Sequence, residues 1–155
     1  MKNNKVKRSL LALFLIIALV LSSVSLTRAG SLKAKAAGTA EIPVNLIVNG
    51  QTFGAVFYNN KTANALLKKM PMTLNMKELN GNEKYYFFDT QFPTNEKSPG
   101  KIEMGDIMLY GSDCLVTFYK SHSTSYQYTS VGKIENASGF AKAVGSGNVT
   151  ITFKK

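Results

Sequence analysis

The 155-residue sequence has little of the side-chain chemistry on which most metal and enzyme sites depend. It has one cysteine, Cys114, so no disulfide can form within the chain. It has one histidine, His122, which excludes a site built on several histidines. There is no tryptophan, and the two arginines are Arg8 and Arg28. No metal-binding motif or nucleotide-binding fingerprint is present, so we expect no cofactor and no metal ion, and we assign no catalytic residue.

Positive charge is unevenly distributed along the chain. The formal net charge is +10, but residues 1–36 hold seven of the 19 basic residues and none of the nine acids. The rest of the chain has 12 lysines against those nine acids, which is close to balance. A basic leader is poor support for nucleic-acid recognition, which needs a basic patch on the folded domain. We expect no nucleic-acid partner.

Residues 1–36 have the order of a secretory signal peptide. A basic segment, 1–8, precedes an unbroken apolar run, 10–21, and Ala34-Lys35-Ala36 supplies small residues for cleavage. We expect cleavage after Ala36 and a secreted or otherwise extracytoplasmic protein, with Thr27-Arg28-Ala29 as a second, weaker site. The alternative is an uncleaved N-terminal membrane anchor, although the apolar run is shorter than the roughly 20 residues of a spanning helix.

Residues 37–41 are predicted to be a linker, and residues 42–155 a single domain. Apolar residues alternate over 42–48, which predicts a strand, and Asn49-Gly50 predicts a tight hairpin turn into a return strand at 51–58. Over 59–71 the apolar spacing becomes helical, with Thr62 as the expected N-cap.

The remainder reads as short strands, with polar loops at 91–101 and 121–125. A short second helix is predicted at 137–144, ended by Gly145. Many short strands with one clear helix predict a mainly β domain, and periodicity alone goes no further than that.

Five groups of residues, taken in order, resemble the bacterial cyclophilin-like family of small β-barrel proteins. They are 59–74 (NNKTANALLKKMPMTL), 82–86 (NEKYY), 105–111 (GDIMLYG), 115–119 (LVTFY) and 126–133 (YQYTSVGK). The resemblance extends from about residue 46 to residue 153, which is nearly all of the expected mature chain. It implies a closed cyclophilin-like β-barrel of about eight strands, with one main α-helix at an open end and a short second helix.

The eukaryotic-type cyclophilins of this fold are peptidyl-prolyl isomerases, whose cleft uses an arginine to bond the substrate amide. This sequence departs from them, because no arginine follows Arg28. Lysine is a poor substitute, since it lacks the planar fork that fixes the direction of the bonds. This departure from the isomerases therefore favours binding without catalysis.

Aromatic side chains gather around one predicted loop and one strand. Tyrosine offers a flat apolar face with a polar tip, which suits a planar ligand or a peptide. The alternative is that half of these side chains are core and the rest are solvated. The candidate ligand-binding residues are Glu83, Tyr85, Phe118, Tyr119, His122, Tyr126 and Tyr128.

Three residues that could suggest catalytic chemistry have simpler structural explanations. His122 lies among serines, but no nucleophile elbow is present, and a solvated loop histidine explains it. Glu83 and Asp106 could form a carboxylate pair, whereas a turn explains Asp106 without chemistry. Cys114 begins an apolar strand with no basic neighbour, which predicts a buried, inert thiol.

We therefore expect an exported domain that binds a small molecule or a short peptide in an aromatic-lined cleft. The first alternative is an extracytoplasmic peptidyl-prolyl isomerase. The second is a cell-surface interaction module. The sequence leaves the ligand and the oligomeric state open, and contact with a membrane is expected only through an uncleaved leader.

Overall fold

The computed structural model of the protein describes residues 40–155. The predicted leader and all but the end of the predicted linker lie outside the described residues. Two helices are present, α1 (Lys61–Leu67) and α2 (Ala137–Val144). The strands are β1 (Glu41–Val48), β2 (Gln51–Tyr58), β3 (Met72–Leu79), β4 (Glu83–Phe87), β5 (Lys101–Ile102), β6 (Asp106–Tyr110), β7 (Cys114–Phe118), β8 (His122–Ser123), β9 (Thr129–Ile134) and β10 (Val149–Lys154).

Eight of the strands close into a barrel, in the order β1-β10-β3-β4-β7-β6-β9-β2. Every neighbouring pair is antiparallel, so closure leaves no free edge in this sheet. The hairpin between β1 and β2 turns at Asn49 and Gly50, with φ of 49° and 77°, as the turn residues predicted. The predicted fold class, a mainly β closed barrel with two helices, is confirmed.

Helix α1 begins differently from the prediction. Its N-cap is Asn60, whose side-chain oxygen accepts a hydrogen bond from the backbone N–H of Ala63 at 2.9 Å. Thr62, the predicted cap, is buried inside the first turn, and its hydroxyl donates to the backbone oxygen of Pro93. Asparagine and threonine both cap helices, and the tertiary contact to Pro93 decides between them. In residues 40–155 no helix is long and apolar enough to cross a membrane.

Two segments predicted as polar loops contain paired strands. β5 and β8 form a separate two-stranded sheet, in which Lys101 pairs with Ser123 and Ile102 with His122. Neither segment shows apolar alternation, because each strand is two residues long and only Ile102 is fully buried. Their pairing depends on the packing beneath them, which a local pattern does not show.

Strand alternation divides the buried side chains between two sides of the barrel wall. On β6, Ile107 and Leu109 face the main core inside the barrel, while Met108 faces outward. A second, smaller cluster covers this outer surface. It comprises Ile102, Met108, Cys114, Val116, Phe118 and Tyr128, with Tyr85 packed against it.

The inner face of β4 carries an unusual core residue, Lys84, which is fully buried. Its ammonium group bonds the carboxylate of Glu78 and donates to the backbone oxygens of Gly145 and Gly147 at 2.8 and 2.7 Å. The Tyr119 ring lies 4.7 Å from the same nitrogen, and its hydroxyl donates to Glu78 at 2.9 Å. Every polar group named here has a hydrogen-bond partner. The buried ammonium group of Lys84 therefore links β3, β4 and the residues before β10.

Candidate functional site

A groove of about 500 Å³ lies on the outer surface of the barrel, beside the second cluster. Its floor comes from the outward faces of β4 and β7, and one wall comes from the segment that contains β8. The lining residues are Leu79, Asn80, Asn82, Glu83, Tyr85, Phe87, Tyr110, Cys114, Val116, His122, Ser123, Thr124, Ser125, Tyr126 and Tyr128. We call this site the aromatic groove.

Alternation along β4 and β7 explains why these side chains meet. On β4, Glu83, Tyr85 and Phe87 point outward, because Lys84 and Tyr86 between them face the barrel interior. On β7, Val116 lies directly opposite Tyr85 in the antiparallel register. The two strands are more than 25 residues apart in sequence, and the barrel brings their outer faces together.

Aromatic rings form the walls of the groove at ordinary edge-to-face distances. The Tyr110 ring lies 5.9 Å from that of Tyr126 and 5.5 Å from that of Tyr128. On the other side, the rings of Tyr85 and Phe87 are 5.7 Å apart. Tyr126 is 62% exposed, so the groove presents apolar surface to solvent.

Glu83 is the one acidic residue of the groove, and it is only 9% exposed. No hydrogen bond or ion pair to its carboxylate exists within residues 40–155. Burial raises the pKa of Glu83, His122 opposes this, and the charge of Glu78 adds to it. Burial and the charge of Glu83 also raise the pKa of Tyr128 to about 12, so this phenol stays neutral.

The structure brings five of the seven candidate residues to this groove: Glu83, Tyr85, His122, Tyr126 and Tyr128. Their role in binding remains a prediction. The groove lies on the outer wall of the barrel.

The other two candidates, Phe118 and Tyr119, do not line this groove. Phe118 is fully buried beneath the groove, with its ring 5.7 Å from that of Tyr128 and 5.6 Å from that of His122. It supports the wall without reaching the groove surface. Tyr119 follows β7 and packs against the main core, where its hydroxyl bonds Glu78. Burial keeps Phe118 from the groove although it shares the outward face of Val116, whereas alternation turns Tyr119 to the other side of the wall.

Sequence reasoning missed several lining residues, above all Leu79, Phe87 and Tyr110. Phe87 stands two positions after Tyr85, so alternation could have placed both on one face. Tyr110 pairs with Cys114 across the hairpin of β6 and β7, which the turn at Gly111 could have indicated. Leu79 offers no such signal, because it lies at the end of β3.

For Cys114 and Asp106, the structure agrees with the simpler explanation given above. Cys114 is a buried free thiol, as predicted, and burial together with Asp113 and Glu83 raises its pKa to about 12. Asp106 accepts from the backbone N–H of Glu103 at 2.8 Å, which is turn bonding. It also lies 3.5 Å from the ammonium group of Lys133. Within residues 40–155 no cluster of side chains could hold a metal ion.

A second groove, of about 740 Å³, lies on the other side of Tyr128. Its lining includes Lys61 and Lys97 and no acidic residue. Several of its polar groups already have partners within the protein. The Asn60 amide donates to the backbone oxygen of Ser130 at 2.9 Å, and the Thr62 hydroxyl bonds Pro93. These two side chains are therefore already bonded within the protein.

Comparison with known structures shows the fold. McbB, solved in complex with tryptophan, matches with a TM-score of 0.54 and 13% identity, covering 72% of this chain and 44% of that chain. This chain thus spans less than half of McbB. The solution structure of a hypothetical protein from Archaeoglobus fulgidus matches with a TM-score of 0.49 and 14% identity, covering 77% of this chain and 98% of that one.

Comparison of sequences shows the family. No curated protein matched the sequence. A family model described as the Cyclophilin-like family matches residues 46–154, which is well over half of the chain and includes every barrel strand at least in part. The protein therefore belongs to the Cyclophilin-like family.

Proposed function

We propose that the protein is an exported, non-catalytic binding protein that holds a small molecule or a short peptide in the aromatic groove. One observation carries the proposal. The large hydrophobic side chains that are exposed within residues 40–155 are Leu79, Phe87, Tyr110 and Tyr126, and all four line this one groove. Exposed apolar surface gathered in one concave place is typical of a binding site.

The dimensions of the groove support a ligand of modest size. Small-molecule sites are commonly about 300–1,000 Å³ and mostly apolar, with a few polar groups that orient the ligand. Here Glu83, Asn82 and the serines of residues 123–125 supply those polar groups. McbB, whose barrel is similar, was solved with tryptophan, which is a small ligand of this general kind.

The absence of arginine after Arg28 supports a non-catalytic role. Isomerisation of a prolyl bond is accelerated by a donor that binds the twisted amide better than the planar one. The lining of the aromatic groove includes neither arginine nor lysine. The proposal of export rests on the order of charge and hydropathy in residues 1–36, which lie outside the described residues.

The proposal can be tested by titrating ¹⁵N-labelled protein with a panel of small aromatic compounds and short peptides. We expect the largest backbone shifts to cluster at Tyr85, Tyr110 and Tyr126. Tyr126→Ala should weaken binding about tenfold, because it removes an exposed ring from the wall. Tyr58→Ala is the matched control, since Tyr58 is a half-buried tyrosine that does not line the groove.

Other outcomes would favour the alternatives. Shifts that cluster at Lys61 and Lys97 would move the site to the second groove and contradict the proposal. Acceleration of prolyl isomerisation that Tyr126→Ala reduces would establish the isomerase alternative. Capture of one protein partner, with no shift from any small probe, would favour an interaction module.

A further inference from the structure

The aromatic groove differs in charge composition from the rest of the described domain. Residues 40–155 contain 12 lysines and nine acids, so the domain is net positive. The lining of the groove lacks this excess of lysine: it contains the acid Glu83, no lysine and no arginine, with His122 as its one basic side chain. A concave site with apolar walls focuses the field of a carboxylate within it, which favours cationic ligands.

The Glu83 carboxylate lacks a partner within the described protein. The residue as a whole is nine-tenths buried, and no hydrogen bond or ion pair to its carboxylate is formed within residues 40–155. Burial of a charged group is costly, and native proteins normally pair such groups. Lys84, the next residue, shows the usual outcome, since its ammonium group has three oxygen partners. The contrast leaves Glu83 as a largely buried acid that forms no bond within the described residues and is influenced by the charge of His122 alone among basic groups.

The rings around Glu83 suit a cation as well. The faces of tyrosine and phenylalanine rings carry negative electrostatic potential, which attracts ammonium and guanidinium groups. Tyr85, Tyr126 and Tyr128 line the groove together with Glu83. A cation bound there would meet both a carboxylate and ring faces, while the apolar part of its ligand would cover Phe87 or Tyr110.

We propose that the aromatic groove selects ligands that carry an ammonium or guanidinium group beside an apolar group, with Glu83 as the counter-ion. This inference rests on the proposed function and adds the class of ligand. The cation can belong to a free aromatic amine or to a lysine or arginine side chain of a peptide. Both sources share the same chemistry, and separate probes distinguish them.

The test compares charged probes with neutral analogues of the same shape by NMR titration near neutral pH. Phenethylamine against 2-phenylethanol represents the free amine. N-acetyl-Phe-Lys-amide against N-acetyl-Phe-norleucine-amide represents the peptide. For at least one pair, we expect the charged member to bind the groove at least about tenfold more tightly, since bonds between ionised partners are the stronger ones. The pair with the larger ratio identifies the source.

Two variants locate the effect. Glu83→Gln should bring the ratio of charged to neutral affinity close to one, because the amide keeps the shape and loses the charge. It should fold, since it removes an unpaired buried charge, and Glu83→Ala is the second variant. Glu96→Gln is the matched control, because Glu96 is an exposed acid outside the groove, and it should leave the ratio unchanged.

Three results would overturn the inference. The first is equal affinity of the charged and neutral probes in both pairs, and the second is a preference that persists in Glu83→Gln. The third is the absence of groove binding by all four probes. Charged and neutral probes that shift Tyr85 and Tyr126 with equal affinity would leave the proposed function intact and remove its ligand class. Binding of every probe outside the groove would contradict both the ligand class and the proposed function.

Discussion

Glu83 and Lys84 are adjacent residues with opposite surroundings. Lys84 faces the barrel interior, where Glu78 and two backbone oxygens hold its charge. Glu83 faces the outer groove, where the described protein offers it no partner. The alternation of a strand is enough to separate the two, because successive side chains leave opposite faces of the sheet. One of these buried charges therefore stabilises the fold, and the other is available to a ligand.

The ion pair between Glu78 and the buried Lys84 leads to the first stability prediction. Burial alone would raise the pKa of Glu78, but hydrogen bonds from Lys84, Tyr119 and Gly81 outweigh it and lower that pKa below its ordinary value of 4.5. A carboxyl group with a lowered folded-state pKa contributes stability above its unfolded-state pKa. That contribution is lost as pH falls through the folded-state value. We expect the protein to lose stability in this acidic range.

Glu78→Gln checks this assignment. At neutral pH it should lower the free energy of unfolding by roughly 2 kcal/mol, because it leaves Lys84 buried without its counter-ion. The deficit should narrow as pH falls below 4.5, where the wild-type carboxyl group also loses its charge. Urea unfolding at several pH values measures both effects. Glu41→Gln, at an exposed acid of β1, should show neither, and a pH-independent deficit would contradict the assignment.

At the scale of elements, the barrel closes where β2 meets β9. Phe57 pairs with Gly132 there, and β9 continues to β6 across an irregular register between Ile107 and Met108. A Cβ atom built on Gly132 would lie 2.2 Å from the backbone oxygen of Val56 and 3.1 Å from the Cα of Phe57. Both obstacles are backbone atoms, so a side chain at this position would push β2 and β9 apart.

Gly132→Ala should therefore destabilise the protein by about 2 kcal/mol or more, as overpacking against an immobile neighbour does. Gly147→Ala is the matched control, since no atom lies within 4 Å of its added Cβ and its φ lies outside the left-handed region. We expect that control to stay within about 0.5 kcal/mol of wild type. Thermal unfolding of both variants measures the difference. Equal loss in the two would show that the strands tolerate the added carbon.

At the scale of the whole molecule, charge and hydropathy separate the chain into two parts. Residues 1–36, the predicted leader, are basic and apolar, and the family match begins at residue 46. The groove and its cationic ligand class belong to the second part alone. Our proposal of an extracytoplasmic protein depends on the first part.

Cleavage after Ala36 predicts a secreted protein that begins at Ala37, and intact-mass measurement of the exported form checks this. Ala36→Tyr should block that cleavage, because processing requires a small residue at this position. Ala40→Tyr is the control and should be processed normally. A mature chain that begins at Gly30 would indicate the second site, and a retained leader would indicate a membrane anchor.

Local patterns were enough to predict most elements of the barrel. The turn at Asn49-Gly50, the strand Gln51–Tyr58 and the helix Ala137–Val144 agree with the prediction, because a left-handed turn and a repeating apolar face depend on neighbouring residues. The closed order of strands came from the family resemblance and not from periodicity. The predicted N-cap of α1, Thr62, was wrong. Its hydroxyl bonds the distant Pro93, and Asn60 caps the helix instead.

The amino-acid sequence by itself determined the strand and helix periods, the balance of charge and the absence of arginine after Arg28. The tertiary structure alone decided which side of the barrel wall each aromatic residue faces. It buried Phe118, turned Tyr119 toward Glu78, and joined Tyr85 to Tyr126 across 41 positions of sequence. Such a site is made of contacts between residues that are distant in sequence. A period of two residues shows that successive side chains lie on opposite faces of a strand, but it does not show what covers each face.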